Sequence, residues 1–374
     1  MEFYSHLHLI SRVVLSPTLM NLKLSFPLLW LLLSGQYLVA QTADAQASSY
    51  RDLIVVKNQI WALTNSNHIK VYKSDGSETK TPSLEGITAQ LIANNGNNVV
   101  AQVGTHIQRW NNTDSTWQTL GKLPATAFGL VVNSKQQIFA ITDKGVFDAT
   151  KGETLLPTSS PNNQLTKLTS FSKPTAYFLD KEDNIWIGFG YGEWGGNIFT
   201  YDTQHHKFVN LRFNKFEIAL HPIKSFFQLK SNVGVSSGLQ HMMNSGAIVE
   251  FNNFDARLIY NTWSDRDTSK AERTFTPRNI PYIGPAVYDS ETDHIYFYSS
   301  LGVFKGKYGT DLSRITNWKM VFKPTLHWRN GQPDAVGSPM NVLKMLSLGS
   351  GKLVLLTQND GVGFWDSQTF KLIP

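Results

Sequence analysis

The sequence predicts an all-β fold, a seven-bladed β-propeller built from four-stranded antiparallel blades. The main observation is an apolar stretch that recurs seven times in one register, usually followed by glycine and an aromatic residue. Its centres are Trp61, Val100, Phe139, Trp186, Gly234, Tyr296 and Val354. By subtraction of these numbers, the centres lie 39, 39, 47, 48, 62 and 58 residues apart. Such intervals suit four-stranded blades, with insertions in the later ones.

The composition supports the same fold class. The 374 residues are 41% hydrophobic and 17% charged, with 27 Gly, 22 Phe, 13 Tyr and 10 Trp, as expected for many short strands joined by turns. Blades of one propeller share a single ring, so we expect residues 46–374 to form one domain. The last unit contains its own fourth strand around residues 370–373, so the ring needs no strand exchange between the termini.

Charge and cysteine usage exclude several kinds of site. The net charge of +6 comes from 34 basic and 28 acidic residues without a run of five like charges, so we expect no nucleic-acid partner. The absence of cysteine excludes disulfides, thiolate metal sites and thiol nucleophiles. His205 and His206 are adjacent on a predicted strand and point to opposite faces, so we expect no metal site and no cofactor.

The first 45 residues are typical of a secretory signal peptide. A short apolar core follows Lys23, and Ala43-Asp44-Ala45 provides the small-x-small pattern of a signal-peptidase site. We expect Met20 to be the true start, because the 19 residues before it add nothing that a signal needs. Because the apolar part is shorter than the ~20 residues of a spanning helix, we expect no stable membrane anchor after cleavage and a periplasmic or secreted location.

Strand direction predicts where the insertions lie. If strands A to D of each unit alternate in direction, the B–C loops and D–A links share one face, and the A–B and C–D turns share the other. The A–B turns are all short. The five insertions are B–C loops or D–A links, at residues 189–195, 212–222, 237–245, 261–283 and 324–340. We therefore expect all of them on one face, here called the insertion face.

The insertion face contains the candidate functional residues. They are Glu193, Trp194, His221, His241, Trp263, Asp265, Arg266, Arg273, His327, Trp328 and Arg329. Aromatic rings stack on sugar faces, and arginine holds carboxylates in a bidentate geometry. The predicted ligand-binding set is Glu193, Trp194, His241, Trp263, Arg266, Trp328 and Arg329. If the chain is a lyase, the predicted catalytic set is His241, Arg266 and His327, which would neutralise a uronate and remove a proton.

The fourth unit resembles a known family. Its run from Asp180 to Gly188, Asp-Lys-Glu-Asp-Asn-Ile-Trp-Ile-Gly, is similar to the repeat of the two-component regulator propellers, the periplasmic ligand-sensing domains of bacterial hybrid sensor kinases. The match is strong in this blade alone. The resemblance implies an extracytoplasmic propeller of a Gram-negative bacterium with a carbohydrate-sensing role. Since neither a transmembrane helix nor a kinase accompanies the repeat, we do not expect a sensor kinase.

Three functions are compatible with these observations. The first is an exported, soluble, non-catalytic module that binds a carbohydrate or a protein partner on the insertion face. The alternative is a polysaccharide lyase or glycoside hydrolase that acts on an anionic glycan at the same face. The third is a purely structural envelope component. The sequence does not determine the oligomeric state or decide whether the chain is an enzyme.

The signal peptide makes a direct prediction. The mature protein is expected to begin after Ala40 or after Ala45, because the small residues required for cleavage occur there. Amino-terminal sequencing of the exported protein measures this. A mature terminus upstream of Gln41 would contradict the proposed cleavage.

Overall fold

The computed structural model describes residues 50–80, 87–111, 113–123, 126–160, 163–240, 244–265, 282–328, 332–333 and 341–374. They form seven four-stranded antiparallel sheets with the strands in sequence order, here called blades 1 to 7 with strands A to D. The described residues contain no helix that is long and apolar enough to span a membrane.

The strands of each blade are as follows. Blade 1 contains Tyr50–Val56, Gln59–Thr64, Ile69–Lys73 and Glu78–Thr79, and blade 2 contains Leu91–Asn95, Asn98–Val103, His106–Asn111 and Thr116–Lys122. Blade 3 contains Ala127–Val132, Ile138–Thr142, Gly145–Asp148 and Glu153–Leu155, and blade 4 contains Ala176–Leu179, Asn184–Gly190, Gly196–Asp202 and Lys207–Val209. Blade 5 contains Ile223–Leu229, Asn232–Gln240, Asn244–Asn252 and Asp255–Asn261. Blade 6 contains Ala286–Asp289, His294–Ser299, Gly302–Lys307 and Lys319–Phe322, and blade 7 contains Val342–Gly349, Lys352–Thr357, Val362–Trp365 and Phe370–Ile373.

Strand A of each blade contacts strand A of the next, and the series ends with blade 7 against blade 1. This closed ring confirms the predicted seven-bladed propeller. Blade 7 uses its own four strands, so closure depends on packing rather than on strand exchange. At the closure, Tyr72 packs edge-on against Phe364, and the Tyr50 and Tyr72 hydroxyls are 2.5 Å apart. An ion pair of 2.7 Å between Lys344 and Asp52 also joins the two blades.

The repeat motif of blade 4 is structural. The carboxylate of Asp180 accepts hydrogen bonds from the Asn184 amide and from the Trp186 indole, each at 2.8 Å. Asp183 adopts a φ of 64° and accepts a bond of 2.8 Å from the Ser134 amide of blade 3. A Cβ atom on Gly188 would lie 2.5 Å from the Ile223 side chain of blade 5, so only glycine fits there. These residues therefore fix the strands and the blade contacts.

Two of the predicted insertions are largely extended strands. In blade 4, strands B and C pair as far as Gly190 and Gly196, and a short 3-10 helix, Gly192–Trp194, closes the hairpin. In blade 5, the pairing continues to Gln240 opposite Asn244. Residues 241–243, which include the predicted site residue His241, lie outside the described residues.

The structure also shows two elaborations that the sequence reading did not place. The link between blades 3 and 4 carries a short hairpin, Ser159–Ser160 with Asn163–Lys167. In blade 6, strand C ends at Lys307 and strand D begins at Lys319, with a 3-10 helix, Ile315–Asn317, between them. This second segment is a C–D connection. It is not one of the five insertions for which the sequence predicts a common face.

Candidate functional site

Two loops of the insertion face pack directly on each other. The 3-10 helix Gly192–Trp194 of blade 4 lies against a second one, Ile218–Leu220, in the link to blade 5. Gly195 has a φ of 78°, and a Cβ atom there would lie only 1.6 Å from the Ala219 carbonyl oxygen. At Gly196 it would lie 2.2 Å from the His221 carbonyl oxygen. The glycine pair thus allows backbone-to-backbone contact and holds the two loops together.

This pair of loops presents large apolar side chains to solvent. Trp194 is 84% exposed, Leu220 is 60% exposed and Tyr191 is 43% exposed. Tyr191 stacks on the buried Phe189, with ring centroids 6.1 Å apart, which ties the surface to the core of blade 4. We call Tyr191, Trp194 and Leu220 the Trp194 platform. Adjacent exposed apolar groups on rigid backbone are typical of an interaction surface.

His221 follows the second 3-10 helix directly and does not lie in an open site. It is buried, its ring centroid is 4.7 Å from that of Phe216, and its Nδ1 lies 3.2 Å from the Ser237 hydroxyl. Burial lowers the pKa of His221 to about 4. The imidazole is therefore neutral near pH 7 and contributes to packing.

His327 forms a dyad with a carboxylate that the sequence reading missed. Its Nδ1 lies 2.7 Å from Asp360 Oδ1, and its backbone amide donates to Asp360 Oδ2 at 2.8 Å. Asn359 donates to the His327 carbonyl oxygen at 2.9 Å. Asp360 and Asn359 belong to the B–C turn of blade 7, which shares the insertion face with the link that contains His327. In the sequence, His327 and Asp360 are related only by lying in two connections that are predicted to share a face.

The other predicted residues have different placements. Glu193 is exposed next to Trp194, and Trp263 is 45% exposed after strand D of blade 5. Asp265 accepts a hydrogen bond of 2.7 Å from the Ile315 amide, so it is directed toward the C–D connection of blade 6. His241, Arg266, Arg273, Arg329 and the Trp328 side chain lie outside the described residues. The roles predicted for these five residues therefore stay predictions.

The channel mouth on the insertion face carries charged residues that the sequence reading did not select. Lys224, Lys344 and Asp52 each lie near the start of a strand A, where the chain enters from this face. Lys344 is paired with Asp52, whereas the ammonium of Lys224 lies 5.9 Å from the centroid of the Tyr282 ring. Burial lowers the pKa of Lys224 to about 8. In the sequence, Lys224 could have been noticed as a charged residue within the predicted inner strand at residues 223–229.

An open cleft of about 820 Å³ lies near the C–D turn of blade 5, on the opposite face. At its base, Glu250 accepts hydrogen bonds of 2.5 Å from both Asn232 and Tyr308, and it also pairs with Arg257. Burial raises the pKa of Glu250, but these three partners outweigh burial and lower it. Because Tyr308 belongs to blade 6, the network joins two blades. The described residues contain no group of three or more side chains that could hold a metal ion.

Comparison with known proteins gives the fold. No family model matches the chain, and no curated protein matches it. The structure is similar to that of U3-55K, with a TM-score of 0.52 and 11% identity over 84% of this chain and 89% of that chain. It is also similar to Kuenenia stuttgartiensis hydrazine synthase, with a TM-score of 0.52 and 9% identity over 89% and 97%. These likenesses show the propeller fold.

The buried His221 predicts acid sensitivity. Because its pKa is about 4 in the folded protein and 6.5 when unperturbed, the unfolded state binds more protons between these values. The free energy of unfolding should therefore fall as pH decreases from 6.5, by about 3 kcal/mol at pH 4. Denaturant unfolding across this range measures the effect. The variant His221→Phe should lose this pH dependence of the unfolding free energy. The control variant His106→Phe, at an exposed histidine, should keep it. Equal pH dependence in wild type and both variants would contradict the prediction.

Proposed function

We propose that this protein is an exported interaction module that binds a protein partner through the Trp194 platform. The observation that carries the proposal is the 84% exposure of Trp194 on two loops that pack backbone to backbone. Tryptophan and tyrosine are enriched among the residues that dominate the energy of protein interfaces. A rigid backbone also reduces the entropy that is lost when these side chains become ordered on binding.

The chemistry around Trp194 favours protein over carbohydrate. A sugar site combines an aromatic face with a set of converging hydrogen-bonding groups. The platform instead places an aliphatic side chain, Leu220, and a second aromatic ring, Tyr191, with the exposed tryptophan. We therefore propose a partner that presents apolar side chains to this surface.

An extracytoplasmic location is part of the proposal. The signal-like segment before Ala45 supports it, and so does the resemblance of residues 180–188 to the two-component regulator propellers. In the structure, Asp180 and Trp186 of that run belong to the blade scaffold. The resemblance therefore supports a common scaffold, and the proposed partner depends on the platform.

The platform is tested by crosslinking and by affinity. A photo-crosslinking amino acid in place of Trp194 should capture the partner in the cells that make the protein, and one in place of Leu120 should not. Leu120 is 40% exposed on the outermost strand of blade 2, so it controls for exposed leucine. With the purified partner, Trp194→Ala should weaken binding by about 2 kcal/mol, whereas Leu120→Ala should leave the affinity unchanged.

Two results would contradict the proposed partner. Equal affinity of wild type and Trp194→Ala for the captured protein would remove the platform from the interface. Binding to a glycan array that is lost in Trp194→Ala would reassign the platform to carbohydrate.

The dyad of His327 and Asp360 favours a second candidate function, a lyase acting on an anionic polysaccharide. The Asp360 carboxylate at 2.7 Å from Nδ1 holds the imidazole with Nδ1 protonated, so Nε2 is available to accept a proton. The His327 side chain is 44% exposed, which lets a substrate reach it. A carboxylate that orients a histidine in this way is the arrangement used in general-base catalysis.

The lyase candidate predicts a specific loss of turnover. Wild type should release unsaturated product from a polyuronate, measured by its absorbance, and His327→Ala should abolish the release. Asp360→Asn should lower kcat by about 10²-fold or more, because the histidine loses its orienting carboxylate. Asp366→Asn, at an exposed carboxylate of the same blade, is the matched control. Absence of turnover by wild type, or full turnover by Asp360→Asn, would exclude the dyad as catalytic.

A further inference from the structure

The backbone at Lys224 is irregular. Strand A of blade 5 pairs Ile223 with Ser237 and then Ser225 with Ser236, so Lys224 is the extra residue of a β-bulge. A bulge redirects a side chain out of the regular alternation of a strand. This bulge lies at the start of strand A, where the chain enters from the insertion face.

The Lys224 side chain extends from blade 5 toward the start of blade 6. The ammonium of Lys224 lies 5.9 Å from the centroid of the Tyr282 ring, which follows the link between blades 5 and 6. Tyr282 is itself packed in a core cluster with Val342 and Met345 of blade 7. The Lys224 ammonium therefore lies on the insertion face, near the residues that lead into strand A of blade 6.

The charge of Lys224 has no anionic partner among the described residues. Burial is the only cause that lowers its pKa, and no neighbouring charge contributes. Lys344 lies one register position further along strand A of blade 7, opposite Leu356, and its ammonium is neutralised by Asp52 at 2.7 Å. Lys344 therefore has a counter-ion in the fold, whereas Lys224 has none among the described residues. A charge held away from water is stabilised when it is paired.

We propose that Lys224 forms an oxyanion-binding site at the channel mouth, which takes the carboxylate or phosphate group of a ligand. The Tyr282 ring contacts one side of the ammonium, and the oxyanion approaches from the channel. Ligand sites commonly combine apolar and aromatic side chains with a small number of placed polar or charged groups. This site is separate from the Trp194 platform, so the failure of either proposal leaves the other standing.

The site is tested with inorganic phosphate and with acetate, each compared with chloride at the same ionic strength. At least one of the two should raise the Tm of wild type and slow the acetylation of the Lys224 amine, measured by mass spectrometry. The comparison of the two probes shows which oxyanion the site prefers. Lys224→Met should weaken the binding of that anion by about tenfold or more, because a charge-assisted hydrogen bond is lost, and Lys224→Arg should retain most of it.

Two control variants make the test specific. Lys319→Met removes an exposed lysine and should not change the binding of either anion. The double variant Asp52→Asn with Lys344→Met removes the paired charges of the mouth and should also bind normally. Equal binding by Lys224→Met and wild type would overturn the proposal, and so would the absence of any protection of Lys224 by phosphate and by acetate.

Discussion

The structure depends on closing a ring of sheets that cannot be stable singly. Each blade buries its two faces only against its neighbours, so one open junction would expose two apolar surfaces at once. The critical junction joins the first and last blades, where no covalent connection or shared strand assists closure. There Tyr72, Phe364 and Leu356 form a common core cluster, and the Lys344–Asp52 ion pair spans the junction near the channel. Packing between blades 1 and 7 therefore holds the ring closed.

In a closed ring, the strands are more constrained in sequence than the loops. The strands must satisfy both neighbours, which explains why Trp186 is held by Asp180 and why Gly188 has no room for a side chain. The loops do not have to pack between two blades, so they can carry residues that bind a partner. The Trp194 platform shows how a loop becomes a rigid surface. Gly195 and Gly196 admit the facing backbone, and the Tyr191 ring stacks on the buried Phe189.

The polar groups of the insertion face differ in how the fold satisfies them. His221 is buried and uncharged, and it has a hydroxyl partner. His327 is accessible, and its Nδ1 is held by Asp360. Lys224 keeps a charge near the channel without a carboxylate partner in the described part of the protein. Residue type therefore does not separate the structural groups from the candidate functional groups on this face. Burial and partners do.

The sequence by itself determined the fold class, the seven repeats and the position of each blade core, because these follow from apolar periodicity and turn residues along the chain. It also identified Trp194 and His327 as candidates, since both lie in interruptions of the repeat. Only the tertiary structure decided that His221 is buried, that Asp265 is directed toward blade 6, and that Asp360 meets His327 across 33 residues of chain. Contacts between blades depend on how each sheet lies against its neighbour. A repeat pattern, which describes one blade at a time, does not contain that information.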